Sequence, residues 1–224
     1  MIGFKVLKRQ RAVSNEVVQQ FAKLPVANVS DAMSRMSAGG SRLRPMHNGA
    51  VMAGAAITVR TRPGDNLLVH KALTMAAEGD VVVVDAGGDL TNAIIGEIMV
   101  SFAQSRKIAG LVINGAIRDA GAIRQGSFPV FAAGVTHRGP YKDGPGEINT
   151  PIAIDGMVVQ PGDLVIGDED GILCVPYDLT QQVFQDTTAK HAIEEKMMAD
   201  IRNGRLDTSW IDQTLSRLSC FVES

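Results

Sequence analysis

Cysteine is nearly absent. The 224 residues hold two, Cys174 and Cys220, far apart and outside any ligand-spaced pair. That leaves no disulfide framework, and with only four unclustered histidines there is no donor set for structural zinc. Aromatic residues make up 4% of the chain and the formal net charge is −2. Without a basic stripe interleaved with aromatics, the chain carries no electrostatic footprint for nucleic acid or an anionic membrane. No apolar run approaches the length of a membrane span, and the basic N-terminus is not followed by the apolar core of a signal peptide. The expectation is a reduced, soluble, cytoplasmic protein with neither nucleic acid nor membrane as partner.

Glycine, by contrast, is plentiful at 23 residues, which suits a tightly turned α/β protein. Hydrophobic periodicity predicts short helices over 15–23 and 30–37, the second capped by Asn28-Val-Ser30-Asp31. A strand at Ala56–Arg60 ends in the turn Arg62-Pro-Gly-Asp65, and Asp65-Asn66 caps a helix from Leu67 to Ala77. Strand Val81–Val84 is followed by a helix between Asn92 and Ser105, then strand Leu111–Ile113 and a short helix opened by Arg118-Asp119. After Pro129–Phe131 the chain is loop-rich from His137 to Gly146. Short strands at 151–154, 157–160, 163–166 and 171–175 come next, with Asp168-Glu-Asp170 and Gly171 read as a β-turn rather than a metal cluster. A long polar helix runs from about Leu179 to Arg202 and stops at Asn203-Gly204. Residues 1–205 thus read as one domain, and 206–224, with the lone Trp210, as a tail packed on that domain or on a neighbouring subunit.

Strands 81–84 and 111–113 are near-continuous apolar runs joined by a helix-length connection, the mark of a parallel βαβ pair. In such a unit strand ends and helix starts share one edge, so Asp85–Gly88, Gly96-Glu97 and Gly115–Asp119 should converge there. Backbone N–H groups near Glu97, Ile98 and Met99, opened by Gly96, can hold a substrate carboxylate. Arg118 can clamp an oxoacid, and a carboxylate beside it can hold a divalent metal. Asp85 is expected to support the site from behind. His70 reads as an ordinary helix-face histidine, and His137-Arg138 as part of a loop that covers the site or is simply flexible. Asp31 and Asn66 are polar groups near the substrate or helix caps. Lys71, Lys107, Lys142, Lys190 and Lys196 fall where solvated lysines normally do, so no Schiff-base former stands out.

Taken together, Gly64-Asp65-Asn66, Gly79-Asp80-Val-Val-Val-Val-Asp85, Gly96-Glu97, Gly110-Leu-Val-Ile-Asn-Gly-Ala-Ile-Arg-Asp119, Pro161-Gly-Asp163 and Gly167-Asp-Glu-Asp-Gly171 resemble the RraA-like family over roughly residues 25–205. The resemblance implies a three-layer, swivelling-type β/β/α fold assembled as trimers or hexamers. It also implies a class II aldolase that cleaves 4-hydroxy-4-methyl-2-oxoglutarate or 4-carboxy-4-hydroxy-2-oxoadipate to pyruvate and a second oxoacid, with oxaloacetate decarboxylation as a side activity. In that scheme Asp119 holds Mg²⁺ or Mn²⁺, Arg118 neutralises the pyruvate enolate, and Glu97 acts on the substrate hydroxyl through a water. Glu97 stands where the family's aldolases have an aspartate, one methylene shorter. A last carboxylate comes from a neighbouring subunit's C-terminal helix, and Glu194 or Glu195 match it. The rival reading is a metal-free, protein-binding regulator of ribonuclease activity, the other function found in the family. Its members are compact, whereas this chain carries N-terminal helices and a long C-terminal one. The family's methyltransferase label has no counterpart here, because no glycine-rich nucleotide loop follows the first strand.

Overall fold

The computed structural model describes residues 3–37 and 39–223; Met1 and Ile2 of the expected domain and Ser224 of the expected tail lie outside them. In chain order the elements begin with β1 (Phe4–Val6), α1 (Asn15–Phe21), α2 (Val26–Ala32), β2 (Arg44–Pro45), β3 (Met52–Thr61) and α3 (Leu67–Met75). The central part comprises β4 (Asp80–Asp85), β5 (Ala93–Ile95), α4 (Glu97–Ser105), β6 (Gly110–Ile117), α5 (Ala120–Gln125) and β7 (Val130–Val135). Then follow β8 (Gly146–Ile148), β9 (Ile152–Ile154), β10 (Met157–Val159), β11 (Leu164–Asp168), β12 (Gly171–Val175), α6 (Thr180–Arg202) and α7 (Ser209–Arg217).

The main sheet runs β1-β8-β3-β4-β6-β7-β2, with β11 pairing β3 and β12, and β5 added beside β6. Its centre is parallel: β3 with β4, β4 with β6, and β6 with β7. The run Val81–Val84 shows why a continuous apolar strand belongs here. All four side chains are buried, but alternate residues face opposite sides. Val82 and Val84 join Leu68, Leu73, Val100 and Ala103 of α3 and α4 in one core. Val81 and Val83 join Ile152, Ile154, Met157 and Val159 of the β9–β10 hairpin in another. The order is therefore helices, sheet, second β layer, the expected β/β/α stack. Burial of each such valine stabilises the fold by about 1.5–3 kcal/mol. A third core holds Phe21 and Val29 of the N-terminal helices against Leu164, Ile166 and Val183.

One helix departs from the sequence reading: the second begins at Val26 and not at Ser30, because its first N–H is capped from far away by Asp168 Oδ2 at 2.9 Å. It ends at Ala32, and Ser34 and Arg35 take φ of 56° and 62°, so no helix continues to 37. The helix expected between Asn92 and Ser105 runs from Glu97 to Ser105, and the apolar stretch 93–95 before it is the strand β5 paired with β6. Strands β1, β2 and β8 are short and carry no alternation long enough to announce them.

Residues up to Thr187 form one compact unit and residues from Thr188 onward a second, the division falling inside α6. The second unit holds the rest of α6 and the helix α7, which the sequence reading left as tail. Among the described residues, no helix is long and apolar enough to cross a membrane.

Candidate active site

The site forms where β6 gives out. Arg118 N–H donates to the Ile95 carbonyl at 3.0 Å, holding the end of β6 beside the end of β5. The next residue, Asp119, sits in the left-handed region at φ 55°, a conformation aspartate tolerates better than most side chains. Its backbone carbonyl starts α5, accepting from Ala122 and Ile123 N–H. Its carboxylate is thereby freed from capping its own helix. Instead Asp119 Oδ2 accepts the Glu97 N–H at 3.0 Å, capping α4, with Arg118 Nε at 3.7 Å.

Gly96 makes this approach possible. A Cβ there would lie 2.4 Å from Asp119 Oδ2 and 3.0 Å from Arg118 Cγ. At the start of α4 the Glu97 N–H is committed to Asp119, and Met99 N–H donates to the Gly96 carbonyl at 3.1 Å. The Ile98 N–H finds no partner among the described residues, so it remains available to an anion.

Beside these groups lies a cleft of about 250 Å³ whose wall includes Gly96, Ile98, Met99, Arg118 and Asp119. Of the residues singled out from the sequence, these five are together, and Asn66, read as a polar group near the substrate or a helix cap, joins them. Glu97 is exposed and its side chain is not in the cleft wall, while its backbone N–H is what meets Asp119. Asp85 also stands apart from the wall, with Oδ1 accepting from Asn114 Nδ2 at 2.9 Å. His137 and Arg138 are exposed and outside the wall, and Asp31 pairs with Arg35 at 2.8 Å. Glu194 and Glu195 lie on α6 within the second unit, facing Lys190 at 3.4 Å and His191 at 3.9 Å.

The rest of the wall comes from Ile94 and Ile95 of β5, from Asn66 and His70 at the start of and within α3, and from Pro140 and Lys142 of the 137–146 loop. Asn66 Nδ2 donates to the Ile94 carbonyl at 2.9 Å and lies 3.3 Å from Met99 Sδ. Flipping the amide would put its oxygen against two acceptors, so the assignment is settled by the partners. Asn66 Oδ1 is then left buried without a partner among the described residues. His70 has its pKa lowered, first by burial and then by the charge of Lys142.

That loop is tied to the start of α3 by Asp65, which is 0% exposed. Asp65 Oδ2 accepts from Asp143 N–H at 2.7 Å and Gly144 N–H at 2.9 Å, and Oδ1 from Leu67 N–H at 2.9 Å. Burial pushes the Asp65 carboxyl up, but these three N–H groups and Arg62 outweigh it and hold the pKa below its ordinary value. The sequence reading placed Lys142 among solvated lysines and His70 on an indifferent helix face. The one signal that could have found them is Asp65, a cap with a second oxygen to spare.

Asp119 Oδ2 is engaged, while Oδ1 has no partner among the described residues, and no group of three His, Cys, Asp or Glu forms a cage there. A single carboxylate could hold only a cation that keeps most of its own waters, as Mg²⁺ does, whereas zinc would require more protein ligands.

Residues 26–174 match the family described as RraA-like, aldolase/RraA. The chain belongs to that family. Among its relatives, a provisionally named 4-hydroxy-4-methyl-2-oxoglutarate aldolase of Halalkalibacterium halodurans is 39% identical over 180 residues, 80% of this chain and 86% of its own. A protein of Thermus thermophilus named 4-hydroxy-4-methyl-2-oxoglutarate aldolase is 37% identical over 112 residues, 50% of this chain and 68% of its own. Among solved structures, the RNA-processing inhibitor RraA from Thermus thermophilis superposes with a TM-score of 0.63 at 31% identity, covering 69% of this chain and 93% of that one. The RraA-like fold and the aldolase-named relatives thus meet on one chain, and the relatives' names support a lyase.

Proposed function

We propose that this RraA-like protein is a metal-dependent class II aldolase that cleaves a 4-hydroxy-2-oxo diacid to pyruvate and a second oxoacid. The substrates we assign are 4-hydroxy-4-methyl-2-oxoglutarate or 4-carboxy-4-hydroxy-2-oxoadipate, with oxaloacetate decarboxylation as a side activity. The observation that carries this reading is the packing of Arg118 and Asp119 over Gly96, next to a free helix-start N–H, in the wall of a cleft.

In this reading the Ile98 N–H and Arg118 take the carboxylate at C1. The Arg118 guanidinium, 43% exposed, also lies against the 2-oxo oxygen and neutralises the enolate that forms as the C3–C4 bond breaks. Asp119 would hold Mg²⁺ or Mn²⁺, which would supply positive charge for the developing enolate. Glu97, exposed beside the cleft, takes the hydroxyl proton through a water, and the electron pair of the C3–C4 bond passes into the enolate. Decarboxylation of oxaloacetate yields the same enolate, which is why it accompanies the aldolase reaction.

We assign a trimeric or hexameric assembly in which Glu194 or Glu195 completes a neighbour's site. Support comes from the exposed apolar side chains of the second unit, with Ile193, Met197 and Ile201 at successive helical turns of α6.

The test is pyruvate release from 4-hydroxy-4-methyl-2-oxoglutarate and from oxaloacetate, in Mg²⁺ and in EDTA, for wild type and Arg118→Ala. Metal-dependent release, reduced about a thousandfold or more in the variant, is expected. A folded, metal-supplied wild type that turns over neither acid would sink the reading. The second reading, a protein-binding regulator of ribonuclease activity, is favoured by the likeness to the Thermus RNA-processing inhibitor and would then lead.

A further inference from the structure

We infer that Asn92 is a positioning residue for the Arg118 guanidinium, acting through the backbone of Gly139, which it holds against the guanidinium tip. The inference rests on the aldolase reading for what Arg118 does once it is aligned.

Arg118 is weakly held by its own polar contacts. Its Nε lies 3.7 Å from Asp119 Oδ2, too far for a hydrogen bond, and no other acceptor reaches the guanidinium among the described residues. A long side chain that is 43% exposed samples many orientations unless something walls it in. Two glycines do so. A Cβ on Gly96 would lie 3.0 Å from Cγ and 3.2 Å from Nε of Arg118, and one on Gly139 would lie 3.2 Å from Nη1. The stem therefore passes over one bare backbone and the tip meets another.

The Gly96 wall is fixed by β5 and α4, between which it stands. The Gly139 wall belongs to a loop and needs its own support. Ala93 N–H donates to the Arg138 carbonyl at 2.8 Å, and Tyr141 N–H to the Gly64 carbonyl at 2.8 Å. Between these two ties, Pro140 has no N–H to offer. Asn92 supplies the tie at Gly139 itself: its Nδ2 donates to the Gly139 carbonyl. That partner can only accept, so the amide orientation is settled.

Asn92 is 7% exposed and lies outside the cleft wall, so it acts through Gly139 and not on substrate. It stands directly before β5, whose Ile95 carbonyl accepts the Arg118 N–H at 3.0 Å. One short strand and the residue before it thus place both ends of Arg118. Ile95 holds the backbone, and Asn92, through Gly139, sets the tip.

Two readouts test this. The first needs no chemistry. In protein carrying ¹⁵N-labelled arginine, the Nε–H signal of Arg118 is identified by its loss in Arg118→Lys. Its order parameter is expected above about 0.6 in wild type and below that in Asn92→Ala. The second readout is a double-mutant cycle on pyruvate release from 4-hydroxy-4-methyl-2-oxoglutarate in Mg²⁺. Asn92→Ala should lower kcat about tenfold with KM changed less than about twofold, because the guanidinium matters most as enolate charge develops. Once Arg118 is alanine, the same change should cost less than about twofold. Asn92→Asp, which lacks the side-chain N–H, should behave as the alanine variant does. An asparagine that only staples the loop would cost the same in both backgrounds. That result, an unmoved Arg118 signal, or a kcat near wild type would each overturn the inference. If Asn92→Ala melts too low to study, Gly139→Ala probes the same wall, and a kcat near wild type there overturns the inference as well. A loosened Arg118 signal in the variant, with no pyruvate release by wild type, removes the aldolase reading alone. Normal release with an unmoved signal removes the positioning role alone.

Discussion

Gly96 is the residue at which one methyl group would do most damage. Its extended backbone is open to any residue type, so its role is space and not conformation. A Cβ at 2.4 Å from Asp119 Oδ2 forces the carboxylate away from the Glu97 N–H, taking with it the group proposed to hold the metal. Gly96→Ala is therefore expected to lower kcat about a hundredfold while the melting temperature moves by only a few degrees. Steady-state kinetics beside a thermal melt would decide it, and an alanine variant with near wild-type turnover would show that this approach is not used. The Gly96-Glu97 and Arg118-Asp119 dipeptides were legible in the sequence as candidates. That Asp119 caps the other helix, leaving Ile98 as the free N–H, was not, because it depends on a left-handed backbone at Asp119.

At the scale of elements, the 137–146 loop and α3 behave as one piece because Asp65 belongs to both. Replacing it by alanine leaves the N–H groups of Leu67, Asp143 and Gly144 without their acceptor and Arg62 without its partner. We expect Asp65→Ala to cost about 3 kcal/mol in urea unfolding and to loosen the segment that presents Lys142. Unchanged hydrogen-exchange rates at Asp143 and Gly144 would contradict that coupling. Sequence periodicity located α3 and its cap correctly, since the Asp65 bond to Leu67 is local. It placed α2 four residues late for the opposite reason: its cap, Asp168, lies 142 residues away in the chain.

Over the whole molecule, acid should unfold the protein through its buried carboxylates. Burial pushes Glu147 up, but Arg60 and Lys5 more than offset it, and its pKa, like that of Asp65, lies below the ordinary value. A carboxyl whose folded-state pKa is depressed stabilises the fold above the ordinary carboxylate range. That contribution is lost as the pH falls through the depressed folded-state values. The melting temperature should accordingly be nearly flat from neutrality down to about pH 5 and drop steeply below about pH 4. A melting temperature as high at about pH 3 as at neutrality would show that these two groups contribute nothing. The ion pair alone has modest worth, since Arg60 and Lys5 are half exposed; the buried member is what makes it pH-sensitive.

The sequence by itself determined the central β–α–β arrangement and the edge on which chemistry gathers. Those features follow from local patterns: apolar runs of strand length, glycine turns, and an acid placed just after a strand. The tertiary structure alone decided which groups share the cleft. Lys142 and His70 come to Arg118 through a loop closure and a buried aspartate, contacts between distant residues that no periodicity encodes. It likewise left the Glu97 side chain outside the wall, since the helix that Gly96 opens spends Glu97's backbone on the site and turns the side chain to solvent.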